Sequence, residues 1–377
     1  ARVREALASS TYRALDALVA ACIERGADFL VIAGDVYNQA ERRVRSQLAF
    51  KRAAETLEHA GIPLYVTHGN HDPSSGWSAG ISMPANVHTF ADDRVERFVV
   101  ERDGEQLCSV YGRSYRRSAE TSDLAAGFRR EIGDAVAIGV LHTNVGGRPG
   151  YDDYAPCTLD DLRAAGMDYW ALGHIHKPEV LSQAPHAVYA GCPQGLDPTQ
   201  SGERGCYEVT IDDGIVTTQF VPLAAIQWHE ATIDLSEALR LDDVRDAIAA
   251  AVDSALAASS VPVIVRLDLA GRSEVHAALQ ASGALRGIVE DARDESLGLE
   301  RWAWIDRVRD RTRPAVDLDS LRGAEDFIGD VVRLTDDLLG DSAAGGGFVA
   351  EVGAALLDRV SDAAFTPDVA DVLARAR

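Results

Sequence analysis

The chain has 377 residues, 46% of them hydrophobic, enough for two or three domains with buried cores. Its net charge is −22 with only two lysines, Lys51 and Lys177, which argues against broad electrostatic attraction to nucleic acid but leaves room for metal-assisted chemistry in one cleft. Five widely spaced cysteines without a CxxC pair argue against a disulfide framework or structural zinc, and neither an apolar run of membrane-spanning length nor a leader stands out, so a reduced, cytoplasmic protein with no membrane contact is expected.

Residues 2–25 predict a helix, since Leu15, Leu18, Val19 and Cys22 recur at helical spacing and Gly26 offers a stop. "DFLVIAGD" (28–35) reads as a buried strand running into a polar tip. A helix at 41–60, closed by Gly61, precedes the strand "PLYVTHG". Strands at 95–100 and 107–111 are joined by "RDGE", a hairpin signal. The strand "AVAIGVLH" (135–142), a helix at 158–166 and the strand "DYWALGH" (168–174) follow, then shorter strands from "HAVYAG" through "GCYEVTIDDGIVTTQFVPL". Alternating strand and helix predicts an α/β fold, with ligands where the apolar strands end.

The pattern changes around residue 222. A helix at 241–257 (Val244, Ile248, Val252, Leu256) leads to "VPVIVRLDL", in which Val263, Val265, Leu267 and Leu269 alternate with more polar neighbours. A helix at 273–281, "GIVE" and "RWAWIDRV" complete a small α+β unit. After Pro314 the chain reads as helical: Phe327, Ile328, Val331, Leu334 and Leu338 make one apolar face. After "AAGGG", Phe348, Val352, Leu356 and Val360 resume it, and Thr366 and Pro367 open a last helix. The expected domains are 1–225, 226–313 and 314–377.

Four strand-end clusters carry the chemistry: "GD" at 34–35, "GNHD" at 69–72, "LHTN" at 141–144 and "GHIH" at 173–176. They supply Asp35, Asn70, His71, His142, His174 and His176. Imidazole, carboxylate and amide oxygen suit a borderline divalent ion such as manganese, iron or zinc. Glycine before three of the clusters lets the backbone turn tightly. His174 and His176 are two apart and face one side of an extended strand. A carboxylate bridging two ions about 3.5–4 Å apart would give the arrangement used for in-line attack on phosphate. Each cluster alone could be a simple polar turn, and His71 could bind metal, carry a proton or fill a turn. All four in this order, each closing an apolar strand, argue against coincidence. His59, His88, His186, His229 and His276 lack such context.

The set GD…GNHD…H…GHxH resembles the calcineurin-like metallophosphoesterase family. "HGNHDP", "GHIHKP" and "YAGCPQG…GERGCYEV" resemble its SbcD/YhaO branch, DNA-repair exonucleases that pair with a coiled-coil ATPase. The likeness spans residues 1–225; beyond 226 only the layout matches. It implies a layered β-sandwich flanked by helices, a small α+β capping domain and a helical region that docks the ATPase. It further implies two divalent ions, manganese foremost with iron, magnesium or zinc as alternatives. Asp35 would bridge both; Asn70, His142 and His174 would complete one site and His176 would serve the other. His71 would be the proton donor, with Asp72 orienting His71 or its loop.

Two departures stand out. The family opens with an Asp-x-His strand, here expected upstream of Ala1, and Asn38 stands where DNA exonucleases of the family often carry histidine. The resemblance also implies a homodimer through helix 41–60 (Val44, Leu48, Phe50, Leu57), against the alternative that this face packs on its own sheet. Helices 319–340 and 346–360 would dock the ATPase or close on themselves as a hairpin. "GRSYRRS" (112–118) and "FRRE" (128–131) are candidate phosphate contacts. A DNA nuclease is therefore expected, with a non-catalytic scaffold and a phosphodiesterase for small phosphoesters as the alternatives.

Overall fold

A computed structural model describes residues 2–38, 44–76, 80–102, 104–281, 283–315 and 318–340. Two sheets lie face to face between helices. The first holds β1 (Leu30–Ala33), β2 (Leu64–Thr67) and β3 (Val87–Thr89), all parallel, in the order β1-β2-β3. The second holds β4 (Glu96–Arg102), β5 (Glu105–Arg113), β6 (Ala137–His142), β7 (Tyr169–Gly173), β8 (Glu179–Gln183) and β9 (His186–Tyr189), in the order β4-β5-β6-β7-β9-β8.

Period-two alternation explains the layers. On β1 and β2, Leu30, Ile32, Leu64 and Val66 face α1 (Arg2–Glu24) and α2 (Val44–His59), while Phe29, Val31 and Tyr65 face the second sheet. On β6 and β7, Ile138, Val140 and Tyr169 meet that inter-sheet core. Ala137, Leu141, Trp170 and Leu172 turn the other way, onto α3 (Leu159–Ala164) and the buried Tyr115, Leu124 and Phe128. Strands buried on both faces need near-continuous apolar runs, as "AIGV" and "YWAL" provide. The antiparallel hairpin β10 (Gly205–Asp212) and β11 (Ile215–Pro222) packs Tyr207, Val209 and Ile211 on the inter-sheet core. The mixed α/β sandwich flanked by helices is thus the expected fold class.

Helix α1 is long and apolar enough to span a membrane by length and composition. In the fold its Val19 and Cys22 pack instead with Phe50, Ala54 and Leu57 of α2. On α2, Phe50 and Leu57 are buried in its own core, whereas Val44 and Leu48 are exposed.

The segment after 226 forms a three-stranded parallel sheet in the order β12-β13-β15, with β12 (Gln227–Asp234), β13 (Val263–Ala270) and β15 (Ala303–Asp310). Strands β14 (Arg272–Ser273) and β16 (Arg313–Pro314) form a short second pair. Helices α4 (Leu241–Ala257) and α6 (Ala284–Leu297) cover one face. One sequence reading needs correction here. The helix expected at 273–281 shrinks to α5 (His276–Leu279), because Arg272 and Ser273 pair with β16. "GIVE" lies inside α6, where Val289 is buried in the core, Ile288 packs against it, and Gly287 and Glu290 are exposed. The other face, with Ile226, Trp228, Ile264 and Trp302, packs against Val3 and Ala6 of α1.

Helices α7 (Leu318–Arg322) and α8 (Phe327–Gly340) follow. Phe327, Ile328, Val331 and Leu334 of α8 are all exposed. The expected helix at 346–360, the helix opened by Thr366 and the Leu338 side chain lie outside the described residues, as does any strand ahead of α1.

Candidate metal centre

The C-terminal ends of β1, β2, β6 and β7 meet at one edge of the sandwich and bring the four clusters together. After Ala33 the chain turns through Gly34 (φ 93°) and Asp35 (φ 55°), a left-handed step that a side chain adopts only when its surroundings hold it. Asp72 supplies that hold. Fully buried, it accepts hydrogen bonds from the backbone N–H groups of Asp35 (3.2 Å), Val36 (2.9 Å) and Gly69 (2.8 Å). Asp35 reciprocates by accepting from the His71 N–H at 2.8 Å. The GD and GNHD loops are therefore stapled to each other. Of the two roles expected for Asp72, the geometry favours the loop over the His71 ring.

The glycines do more than turn. A Cβ at Gly69 would strike Asp35 and His142, and one at Gly173 would strike the Ala33 carbonyl and His142. Only Gly34 of the three has a left-handed φ. At the other two positions the missing side chain allows strand ends to approach, which corrects the purely conformational expectation.

His142 is the centre of the cluster. Its Nδ1–H donates to the Ala33 carbonyl at 2.8 Å, leaving Nε2 to face Asn70 Oδ1 at 2.9 Å and Asp35 Oδ2 at 3.3 Å. In the neutral ring three lone pairs then converge with no proton among them. A proton on His142, a turned Asn70 amide or a cation relieves that arrangement, and the mixed carboxylate, amide and imidazole donors suit a divalent ion. Among the described residues no group of three His, Cys, Asp or Glu side chains forms a cage by itself, so the Asn70 amide is integral to the set.

Burial acts to raise the Asp35 carboxyl, but the His142 imidazole and the His71 N–H outweigh it and hold Asp35 below the ordinary carboxylate range. Burial acts against a charged His142, yet the Asp35 carboxylate pushes its pKa up. His174 and His176 are both held down, first by burial.

His174, also left-handed (φ 90°), donates Nε2–H to the Asp152 carbonyl at 2.8 Å and so presents Nδ1 to the cluster, its ring 5.2 Å from that of His142. His176 differs. Its Nδ1 accepts from the Gln200 amide at 3.0 Å, an orientation fixed by the Leu196 N–H on Gln200 Oε1 at 3.0 Å. In the neutral ring the proton then sits on Nε2, and that atom could hold an ion once the proton shifts to Nδ1 and the Gln200 amide turns. The His71 ring is half-exposed at the mouth, in electrostatic reach of Asp35 and His176.

Thus Asp35, Asn70, His71, His142, His174 and His176 share one site, with Asp72 beneath it. Sequence reading missed what orients the rings: the Ala33 and Asp152 carbonyls, Gln200, and Tyr115, buried edge-on to His142 at 5.3 Å between ring centres. Backbone carbonyls leave no residue-type signal, and Gln200 is remote from its partner in the chain.

A fold with two facing sheets and a strand-end cluster of carboxylate, amide and imidazole defines a metal-dependent phosphoesterase class. Residues 8–178 match the calcineurin-like phosphoesterase family, and residues 228–313 match the family described as metallophosphoesterase YhaO, middle domain. The chain belongs to the calcineurin-like metallophosphoesterases, enzymes that hydrolyse phosphoesters with divalent metal ions. It is 34% identical over 322 residues to the uncharacterized metallophosphoesterase YhaO of Bacillus subtilis (strain 168), an alignment covering 85% of this chain and 78% of that protein.

Proposed function

We propose that this chain is a two-metal DNA nuclease, cleaving phosphodiesters as the nuclease subunit of a complex with a coiled-coil ATPase. The observation that carries the reading is the convergence of Asp35, Asn70 and His142 on one point, with His174 alongside. Asp35, Asn70, His142 and His174 would hold one ion, and Asp35 with His176 the second, manganese being our first choice. Bound there, divalent ions supply Lewis acidity that activates water and offsets phosphate charge. The protein's own part is positional. Asp72 and the Asp35–His71 contact fix the loops, and the half-exposed His71 ring gives its proton to the leaving 3′-oxygen.

One observation favours a polynucleotide. Arg116 and Arg117 are exposed immediately after Tyr115, whose ring abuts His142, whereas Arg130 is committed to Asp168 at 3.0 Å. The exposed apolar face of α8 suits an amphipathic partner helix. Val44 and Leu48, exposed on α2, are where we place a homodimer contact.

End-labelled single- and double-stranded DNA with manganese and the complete protein tests the reading. We expect cleavage that Asp35→Ala abolishes and that His71→Ala slows by about 10²–10⁴-fold with metal content unchanged. Turnover of bis-p-nitrophenyl phosphate without DNA cleavage, with or without the ATPase, would replace it by a small-phosphoester enzyme. No turnover of either substrate would favour the scaffold.

A further inference from the structure

The segment Asn144–Ala155 walls one side of the metal centre and is cross-braced at both ends. The Asn144 N–H donates to the Tyr154 carbonyl (3.0 Å), Asn144 Oδ1 accepts from the Arg148 N–H (2.8 Å), and Thr143 Oγ1 donates to the Ala155 carbonyl (2.6 Å). The Ala155 N–H reaches the Glu120 carbonyl at 2.7 Å. The one cation of the segment is consumed internally: Arg148 forms a two-pronged pair with Glu179 and lies 5.3 Å over the Tyr189 ring. Asp152 and Asp153 are exposed, so the wall's side chains do not favour phosphate.

What the wall offers is Tyr151. Its ring stands edge-on to His174 at 5.8 Å and to His176 at 6.1 Å, is half-buried, and makes no side-chain hydrogen bond. Tyr154, three residues on, also flanks His174 at 5.8 Å. A partly open aromatic ring seated beside a reaction centre against two histidine rings offers a surface for stacking. We propose that Tyr151 is a stacking platform for a nucleobase one sugar away from the phosphate held at the metal centre. The recognised chemistry is a planar base on a phosphorylated sugar, and the proposal rests on the phosphoesterase reading above. Stacking tolerates any base, so the platform confers preference for nucleotides without sequence specificity.

Calorimetric titration of the complete, manganese-loaded protein with thymidine 5′-monophosphate and with deoxyribose 5-phosphate tests this. The unaltered protein is expected to bind the nucleotide about ten- to hundredfold more tightly than the sugar phosphate. Tyr151→Ala should bring the nucleotide down to the sugar phosphate without moving the latter, and Tyr151→Phe and Tyr151→Trp should keep the preference. Equal binding of both ligands by the unaltered protein, or a preference surviving in Tyr151→Ala, overturns the platform. So does parallel loss of both affinities in Tyr151→Ala, which would make the ring a mere support for His174 and His176. Failure of the phosphoesterase reading looks different: neither ligand binds and bis-p-nitrophenyl phosphate is not turned over. Comparing a mononucleotide with a short single strand then separates a free nucleotide from a chain end as the source of the base.

Discussion

At the scale of single residues, Asp72 shows how a motif position can be functional without touching substrate. Its carboxylate is wholly buried and is spent on three backbone N–H groups from two loops. Asp72→Asn keeps the shape but sets an NH₂ group against backbone donors. Charge-assisted bonds of this kind are worth about 1.5–3 kcal/mol each, and leaving a buried donor unpaired costs about as much. We therefore expect Asp72→Asn to lower stability by about 2 kcal/mol in urea melts and to weaken manganese binding by about 10–100-fold. Manganese affinity equal to that of the unaltered protein would remove Asp72 from the site's support. "GNHD" made the residue visible in the sequence. Its partners, 35 and 36, were not, because loop pairing is a product of strand order.

At the scale of elements, Asp134 ties the edge of the second sheet together. Its side chain is buried and accepts from Arg97 of β4, from Gln106 (3.2 Å), Ser109 (2.8 Å) and Tyr111 of β5, just before β6 begins. The Arg97 bond, working against burial and joined by Tyr111 and Ser109, holds the Asp134 carboxyl far below the usual carboxylate range. In the unfolded chain the same group titrates near ~3.9. Below that value the unfolded state binds the proton first, so this stabilisation is present at neutral pH and drains away as pH falls from about 5 toward the folded pKa. Asp134→Asn should cost about 3 kcal/mol at pH 7 and leave a shallower acid limb in stability against pH. An acid limb as steep in Asp134→Asn as in the parent would show that other carboxylates control acid unfolding.

At the scale of the whole molecule, one saturated side chain is prominent among the links between the two units. Gln194, buried after β9, accepts from the N–H groups of Ala225 (2.8 Å) and Ile226 (3.3 Å). Its amide donates to the carbonyls of Gly195 (2.8 Å) and Ile226 (2.7 Å). Beside it, Arg2 of α1 donates to the carbonyls of Leu297 (2.7 Å), Leu299 (3.0 Å) and Glu300 (3.0 Å) of the second unit. Gln194→Leu strands several buried backbone groups, each worth about 1–3 kcal/mol. We expect a loss of about 3 kcal/mol and faster limited proteolysis between residues 222 and 227, checked by mass spectrometry of the fragments. An unchanged cleavage rate there would mean that the apolar contact of Trp228 and Trp302 with α1 suffices. The sequence displayed Gln194 inside "CPQG", a stretch read only for its family resemblance; the fold makes it a joint.

By itself the sequence determined the alternation of strand and helix, the positions of α1, α4, β6 and β7, and the four polar strand ends, because apolar periodicity and local glycines are properties of adjacent residues. It also determined that Asp35, Asn70, His71, His142, His174 and His176 belong to one chemistry, since each closes an apolar strand. Only the tertiary structure decided how those groups act together. It committed His142 to the Ala33 carbonyl, 109 positions away, and His176 to Gln200, and so set how each ring is oriented. It made Gly69 and Gly173 points of close approach, drew the Tyr151 wall beside the histidines, and turned "GIVE" into helix by packing Val289 under a sheet. These outcomes depend on partners distant in the chain, often backbone carbonyls that every residue carries, and no local pattern of side chains encodes them.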